Sequence, residues 1–455
     1  MISETVYAAL SSVLEGRLSR SKSELDQHGL SETWFPLTPP EAVAYPETTE
    51  EVSELMKICH AHEVPVTGFG AGTSLEGQTL AVKGGLVVDF SRMNRVIRVN
   101  DADMDAVVQP GITREALNVE LRTTGLMFPV DPGANASLGG MAMTRASGTT
   151  AVKYGTMKEN VIGLEVVLAD GRVIHTGSRA RKSASGYDLT SLFVGSEGTL
   201  GLITEMTVRL HGQPEAISAA VCSFDEISPA VQAVIATIQV GLPMARIEFL
   251  DAESVDAVNK YSGADFPLKP HLFVEFHGSE SGVAEQVEMF GEIVHEFGGS
   301  DFQWASKAED RNALWTMRHH AYWACLALRK GAKAVVTDIS VPISKLAQAV
   351  EETAADIAAS PIDGPILGHV GDGNFHAILL VDPNDADEIK LAKDLAHRMA
   401  ERALALGGTI TGEHGIGMGK KSLMAEEHGA AWGLMGQIKA AMDPKNILNP
   451  GKMVP

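Results

Sequence analysis

ILGHVGDGNFHAILLV, residues 366–381, is an apolar run broken by one glycine-rich turn, and it sets the reading of the chain around it. With Asp372-Gly373 as a two-residue hairpin turn, counting outward pairs Gly371 with Asn374, Val370 with Phe375 and His369 with His376. Directly opposed residues lie about 5 Å apart at Cβ on one sheet face, so this register predicts two imidazoles side by side. Further on, TGEHGIG at residues 411–417 offers Glu413 as a hard oxygen ligand with His414 next to it. Two histidines and one carboxylate form a metal set with open positions for substrate. A single histidine in such a strand is most often a packed strand residue. A registered pair plus Glu-His in a glycine-rich turn points to a metal.

Length and charge limit the classes open to the chain. At 455 residues it exceeds one ordinary core, so two or three domains are expected. Apolar residues make up 45% and charged residues 21%, the balance of a soluble globular protein. A net charge of −21 argues against nucleic acid as a partner, since a polyanion requires a basic footprint. Cys59, Cys222 and Cys325 are odd in number and far apart, which predicts free thiols in a reducing compartment. The first twenty residues carry acid early and no long apolar run, so they read as a surface helix and not a signal peptide. No stretch approaches the ~18 apolar residues of a membrane span. A cytoplasmic location is expected, with a peripheral place at the inner membrane as the alternative.

Three glycine-rich segments mark the first half. PVTGFGAGTSLEGQ, residues 65–78, follows a short strand and holds Gly68, Gly70, Gly72 and Gly77 with Thr73 and Ser74. Without Cβ atoms in the way, such a loop can aim backbone amides at phosphate. Its spacing is neither the G-x-G-x-x-G of a Rossmann turn nor a Walker A loop. DPGANASLGGMAMTRASGTTAVKYGTM, residues 131–157, is dense in small and hydroxyl residues, among them Ser137, Thr144 and Ser147. GSEGTLGLITEMTVRL, residues 195–210, is a glycine-rich turn running into a strand. Any one of these is an ordinary turn as readily as a site; three together predict a dinucleotide-type ligand.

Composition shifts at HGQPEA, residues 211–216, and the second half alternates helices with strands, predicting an antiparallel sheet flanked by helices. A helix over residues 311–330 carries Arg318, whose guanidinium is suited to hold a carboxylate through two hydrogen bonds. The tail DPKNILNPGK, residues 443–452, reads as a fixed turn.

These segments, with RKSASGYDLTSLFVGSEGTLGLIT at 181–204, ARIEFLD, GHVGDGNFH and TGEHGIGMGK, resemble the FAD-dependent D-2-hydroxyacid dehydrogenases of the vanillyl-alcohol oxidase superfamily. Among these the resemblance is greatest to the cytochrome-type D-lactate dehydrogenases. It extends over nearly the whole chain from about residue 40. It implies an α+β fold, with a two-subdomain FAD-binding domain at 1–212, a cap domain for substrate and metal at 213–430, and a segment at 431–455 returning to the FAD domain.

The same resemblance implies roles. Gly68, Gly70, Gly72, Thr73, Ser74, Pro132, Gly133, Ser137, Gly139, Gly140, Thr144, Ser147, Gly148, Glu197, Gly201, Ile203 and Asn449 would hold FAD. The first loop has no histidine, so FAD would be non-covalent. His369, His376 and Glu413 would bind a divalent metal, zinc or manganese. Arg318 and Asn374 would touch substrate and His414 would be the base. Electrons would pass to a cytochrome, quinone or electron-transfer flavoprotein, with a homodimer as the assembly to test. Val335 and Val336 in KAVVTD favour D-lactate or another short D-2-hydroxy acid, although Lys333 leaves room for a second carboxylate. D-2-hydroxyglutarate dehydrogenase and the glycolate oxidase flavoprotein subunit are the neighbouring readings. A metal-dependent hydrolase is the reading from another class, and it predicts a colourless protein.

Overall fold

The computed structural model describes residues 2–455, which divide into two compact units. The first comprises the chain up to Ser147, Gly155–Gln213 and Glu413–Pro455; the second comprises Gly148–Tyr154 and Pro214–Gly412.

The first unit is built on two sheets. In one, Ala42–Ala44, Leu86–Asp89 and Val66–Phe69 run parallel, with Leu18–Ser19 antiparallel at the edge. Helix Thr49–His62 starts where the Thr48 side chain accepts the Glu51 N–H. It buries Val52, Leu55, Met56 and Cys59 among Val66, Leu86 and Val88, the stripe its helical spacing predicts. The second sheet is antiparallel, in the order Val96–Asn100, Asp105–Val108, Leu202–Arg209, Val161–Val167, Val173–Gly177. Met141 and Ala142 of helix Leu138–Thr144 pack with Ala106, Leu164 and Met206 of that sheet. From the C-terminal segment, Leu448 bridges Val66 in parallel and the Asn449 N–H donates to the Val66 carbonyl at 2.7 Å.

The second unit holds an eight-stranded antiparallel sheet. Its order is Ser300–Ala305, Ala216–Ser223, His271–Gly278, Met244–Leu250, Ile366–Gly368, Asn374–Val381, Lys333–Val336, with Ile339–Ser340 also pairing Asn374–Val381. Consecutive strand residues point to opposite faces. Phe276 meets Phe290 of helix Glu280–Glu296, while Glu275 accepts from Trp315 of helix Ala308–His319, so helices cover both faces.

Three expectations are corrected in detail. The helix expected over 311–330 is two, Ala308–His319 and Ala321–Ala327, broken at His320 where ψ is 0°, with neither glycine nor proline to mark the break. The boundary expected at 212/213 misses Gly148–Tyr154, which belongs with the second unit because Lys153 Nζ donates to the His277 carbonyl at 2.8 Å and Tyr154 Oη lies 2.8 Å from His277 Nδ1. The boundary expected at 430/431 falls instead between Gly412 and Glu413. Up to that point Thr411 Oγ1 and the Gly412 N–H bond Asp338. Beyond it the His414 carbonyl accepts from Gln78, and the Ile416 and Gly417 N–H groups donate to Glu197.

Candidate functional site: a histidine pair in one unit and a glycine cradle in the other

The hairpin puts the histidines together by a different register from the one its turn predicts. Ile366 pairs with Ala377 and Leu367 with His376, two residues from the expected alignment, because Val370–Asp372 winds into a short 3₁₀ turn in place of a two-residue connection. His369 therefore lies opposite Asn374, whose N–H donates to the His369 carbonyl at 3.3 Å. His376 is the next residue but one on the same face. Diagonal neighbours of that kind remain within reach of aromatic rings. The two rings sit 5.6 Å apart between centroids and nearly perpendicular, at 84°.

Each imidazole is held by its Nδ1. His369 Nδ1 lies 2.8 Å from Glu248 Oε1, and His376 Nδ1 lies 3.1 Å from the Thr337 carbonyl and 3.5 Å from Asp338 Oδ1. An acceptor at Nδ1 fixes the Nδ1–H tautomer and turns Nε2 outward as the ligating atom, the usual outer support of a metal-binding histidine. Both rings are buried, and the donor set fits a divalent metal that accepts nitrogen.

Arg318 is buried on helix Ala308–His319, with Nη2 2.5 Å from Glu248 Oε2. Its Nε is buried without a hydrogen-bond partner. Asn374 is more committed than expected. Its Nδ2 donates to Asp338 Oδ1 at 2.9 Å and to the Ile339 carbonyl at 3.0 Å, so a contact with substrate would have to use Oδ1. Asp338, 0% exposed, ties together Asn374, Thr411 and Gly412. Reasoning from sequence missed Glu248 and Asp338. The available signal was an acid set among apolar residues, within strand Met244–Leu250 for Glu248 and just after strand Lys333–Val336 for Asp338.

In the first unit the loop after Val66–Phe69 passes so close to Ser137 that a Cβ on Gly70 would lie 2.0 Å from Ser137 Oγ. Ser137 occupies the N-cap of helix Leu138–Thr144 without capping it, and both its hydroxyl and that of Ser74 are buried with no hydrogen-bond partner. Two orphaned hydroxyls beside a backbone cradle suit phosphate oxygens. Gly68, Gly72, Thr73, Gly140 and Thr144 are half-buried around this segment, Pro132 is half-buried, Gly133 is exposed and Ser147 is buried.

Several residues expected at the cofactor also make close contacts within the protein. A Cβ on Gly139 would meet Pro110 at 2.5 Å, one on Gly201 would meet Val166 at 2.4 Å, and Ile203 is in the core. Gly148 lies in the second unit. The Glu197 carboxylate accepts the Ile416 and Gly417 N–H groups at 2.6 and 2.8 Å, and a Cβ on Gly415 would lie 2.4 Å from Glu197 Oε1. Asn449 donates from Nδ2 to the Gln78 and Glu197 carbonyls. These bonds fix the backbone of the TGEHGIG segment, on which Glu413 and His414 lie half-buried.

Residues 40–177 match the FAD-binding domain model, and residues 213–453, over half the chain, match the C-terminal domain model of FAD-linked oxidases. The chain belongs to the FAD-linked oxidase family. This FAD-linked oxidase is 52% identical over 433 residues to a Danio rerio protein named probable mitochondrial D-lactate dehydrogenase, covering 94% of this chain and 87% of that one. It is 42% identical over 457 residues to the mitochondrial cytochrome-type D-lactate dehydrogenase of Arabidopsis thaliana, covering 100% and 81%. Among solved structures, p-cresol methylhydroxylase with substrate bound has a TM-score of 0.82 at 17% identity, covering 99% of this chain and 97% of that one, a likeness of fold. The expected superfamily, the α+β class and the FAD-dependent oxidoreductase reading therefore stand, with the Ser74–Ser137 cradle a fitting place for FAD phosphates. No helix among the described residues is long and apolar enough to cross a membrane, and Cys59, Cys222 and Cys325 are free and buried.

Proposed function

We propose that this FAD-linked oxidase converts D-lactate, or a similarly short D-2-hydroxy acid, to its 2-oxo acid with the help of a divalent metal. The observation that carries the reading is the His369–His376 pair, with each Nδ1 engaged by an acceptor. Nε2 of both rings and the carboxylate of Glu413 are the proposed ligands, for zinc or manganese. That metal would supply Lewis-acid polarisation of the substrate hydroxyl. FAD, held non-covalently, would supply the two-electron acceptor for the α-hydrogen.

The chain's own residues have the remaining work. Arg318 neutralises and orients the substrate carboxylate through guanidinium N–H groups other than the one on Glu248. Asn374 contributes its Oδ1 as an acceptor. His414 accepts the hydroxyl proton at a ring nitrogen. Binding the carboxylate and hydroxyl at two fixed points would select the enantiomer whose single α-hydrogen is turned toward the flavin. Electrons then leave to a cytochrome, quinone or electron-transfer flavoprotein. The names of the relatives favour a cytochrome and a mitochondrial setting, and buried free thiols fit any reducing compartment.

His414→Ala tests the assignment of the base. The variant is expected to keep its flavin absorbance and metal content while kcat falls about 10²–10⁴-fold. Wild-type turnover would remove His414 from that role.

A further inference from the structure

We infer that Glu248 is a positioning residue that sets the metal-ligating tautomer of His369 and the aim of Arg318 at once, so that metal affinity and carboxylate recognition are coupled through one buried carboxylate. The inference rests on the proposed function and adds a residue to it. Glu248 lies on strand Met244–Leu250 and is 1% exposed. Its two oxygens are divided: Oε1 lies 2.8 Å from His369 Nδ1, and Oε2 lies 2.5 Å from Arg318 Nη2. The three groups come from separate parts of the second unit: a strand, helix Ala308–His319 and the connection after strand Ile366–Gly368. An ionised carboxylate only accepts, so His369 must place its proton on Nδ1 and its lone pair on Nε2. Arg318 balances the same charge, which keeps a buried anion tolerable.

A neighbouring network separates positioning from mere packing. Arg246 precedes Glu248 by two residues and so shares its face of the strand, and Trp315 lies three residues before Arg318 on the same helix. Glu275, buried on strand His271–Gly278, accepts from Trp315 Nε1 at 2.6 Å, pairs with Arg246 at 3.4 Å and lies 2.8 Å from His277 Nε2. Arg246 stacks 4.5 Å from the Trp315 ring centroid. This network ties the same helix to the same sheet through partners other than His369 and Arg318, which makes Glu275 the structural control.

Glu248→Gln is the informative variant. If its carbonyl accepts from Arg318, its amide N–H₂ faces His369 Nδ1 and forces the proton onto Nε2, removing the ligating lone pair. The flavin-loaded enzymes are compared by Mn²⁺ titration followed by electron paramagnetic resonance and by steady-state kinetics with D-lactate at saturating Mn²⁺. Glu248→Gln is expected to raise the Mn²⁺ Kd about 10–100-fold, and to raise KM by a larger factor than it lowers kcat, with the flavin spectrum unchanged. Glu275→Gln is expected to lower the melting temperature and leave the Mn²⁺ Kd at the wild-type value. Should Glu248→Gln fail to fold, Glu248→Gln with Arg318→Met removes the unbalanced guanidinium and keeps the Mn²⁺ readout. Wild-type Kd and KM in Glu248→Gln, or equal loss of Mn²⁺ affinity in Glu275→Gln, would overturn the coupling alone. A wild-type enzyme that binds no Mn²⁺ or Zn²⁺ would overturn the coupling together with the metal reading.

Discussion

Buried acids do most of the positioning, and the cost of burying each is met by N–H and O–H donors from elsewhere in its own unit. Glu197 is the clearest case. It adopts φ 53°, accepts two backbone N–H groups of the TGEHGIG segment, and is pushed by burial up to about 7, although those two bonds pull the other way. A carboxyl whose folded pKa is raised binds its proton more tightly in the native than in the unfolded chain. The contribution of Glu197 to stability is therefore fully present below about pH 4.5 and is lost as pH rises to about 7 and above, by on the order of 3 kcal/mol for a shift of this size. Glu197→Gln should flatten that decline. It should also lower the melting temperature at every pH, since its amide N–H₂ confronts a backbone donor at about 1–3 kcal/mol. Thermal melts between pH 4.5 and 8 measure both, and a variant that retains the wild-type slope would show that Glu197 is not the group responsible.

At the scale of elements, the hairpin around Gly373 explains why a reading can reach the right neighbours by the wrong count. The apolar run and the Asp-Gly pair identify an antiparallel hairpin, and alternation alone puts His369 and His376 on one face. A two-residue slip preserves that face. What the local sequence did not reveal is the packing that selects the longer turn. Gly373 has φ 74°, and a Cβ there would sit 2.2 Å from the Val341 carbonyl; a Cβ on Gly371 would sit 2.4 Å from Ile247. Gly373→Ala should cost about 1–3 kcal/mol in backbone strain alone and loosen the histidine pair. Calorimetry and retained metal after dialysis would test it, and unchanged values for both would refute this account of the turn. Helix Thr49–His62 carries its cap and its apolar stripe in local sequence, the stripe as Val52, Leu55, Met56 and Cys59 at helical spacing, and is legible for that reason. Glu248 and Asp338 were not, since their partners lie 121 and 36 residues away in His369 and Asn374.

For the whole molecule, the division into units was legible as a change of composition near residue 213 and the resemblance implied a C-terminal return from residue 431, whereas the crossing as early as Glu413 and the excursion of Gly148–Tyr154 were not legible. Gly148–Tyr154 and Glu413–Pro455 each belong to the unit opposite the one their neighbours in sequence suggest, and in each case side-chain bonds over long sequence separations decide it. The histidine pair and the glycine cradle stand on separate units, and the chain crosses at Gly412–Glu413, immediately before the proposed carboxylate ligand and base. The proposed reaction joins a flavin to a 2-hydroxy acid. The most direct test is an anaerobic visible spectrum of the purified, metal-loaded protein before and after D-lactate, with L-lactate and D-2-hydroxyglutarate in separate samples. The account predicts a flavin band bleached by D-lactate and left intact by the other two. A band that persists through D-lactate, or a colourless protein, would contradict it.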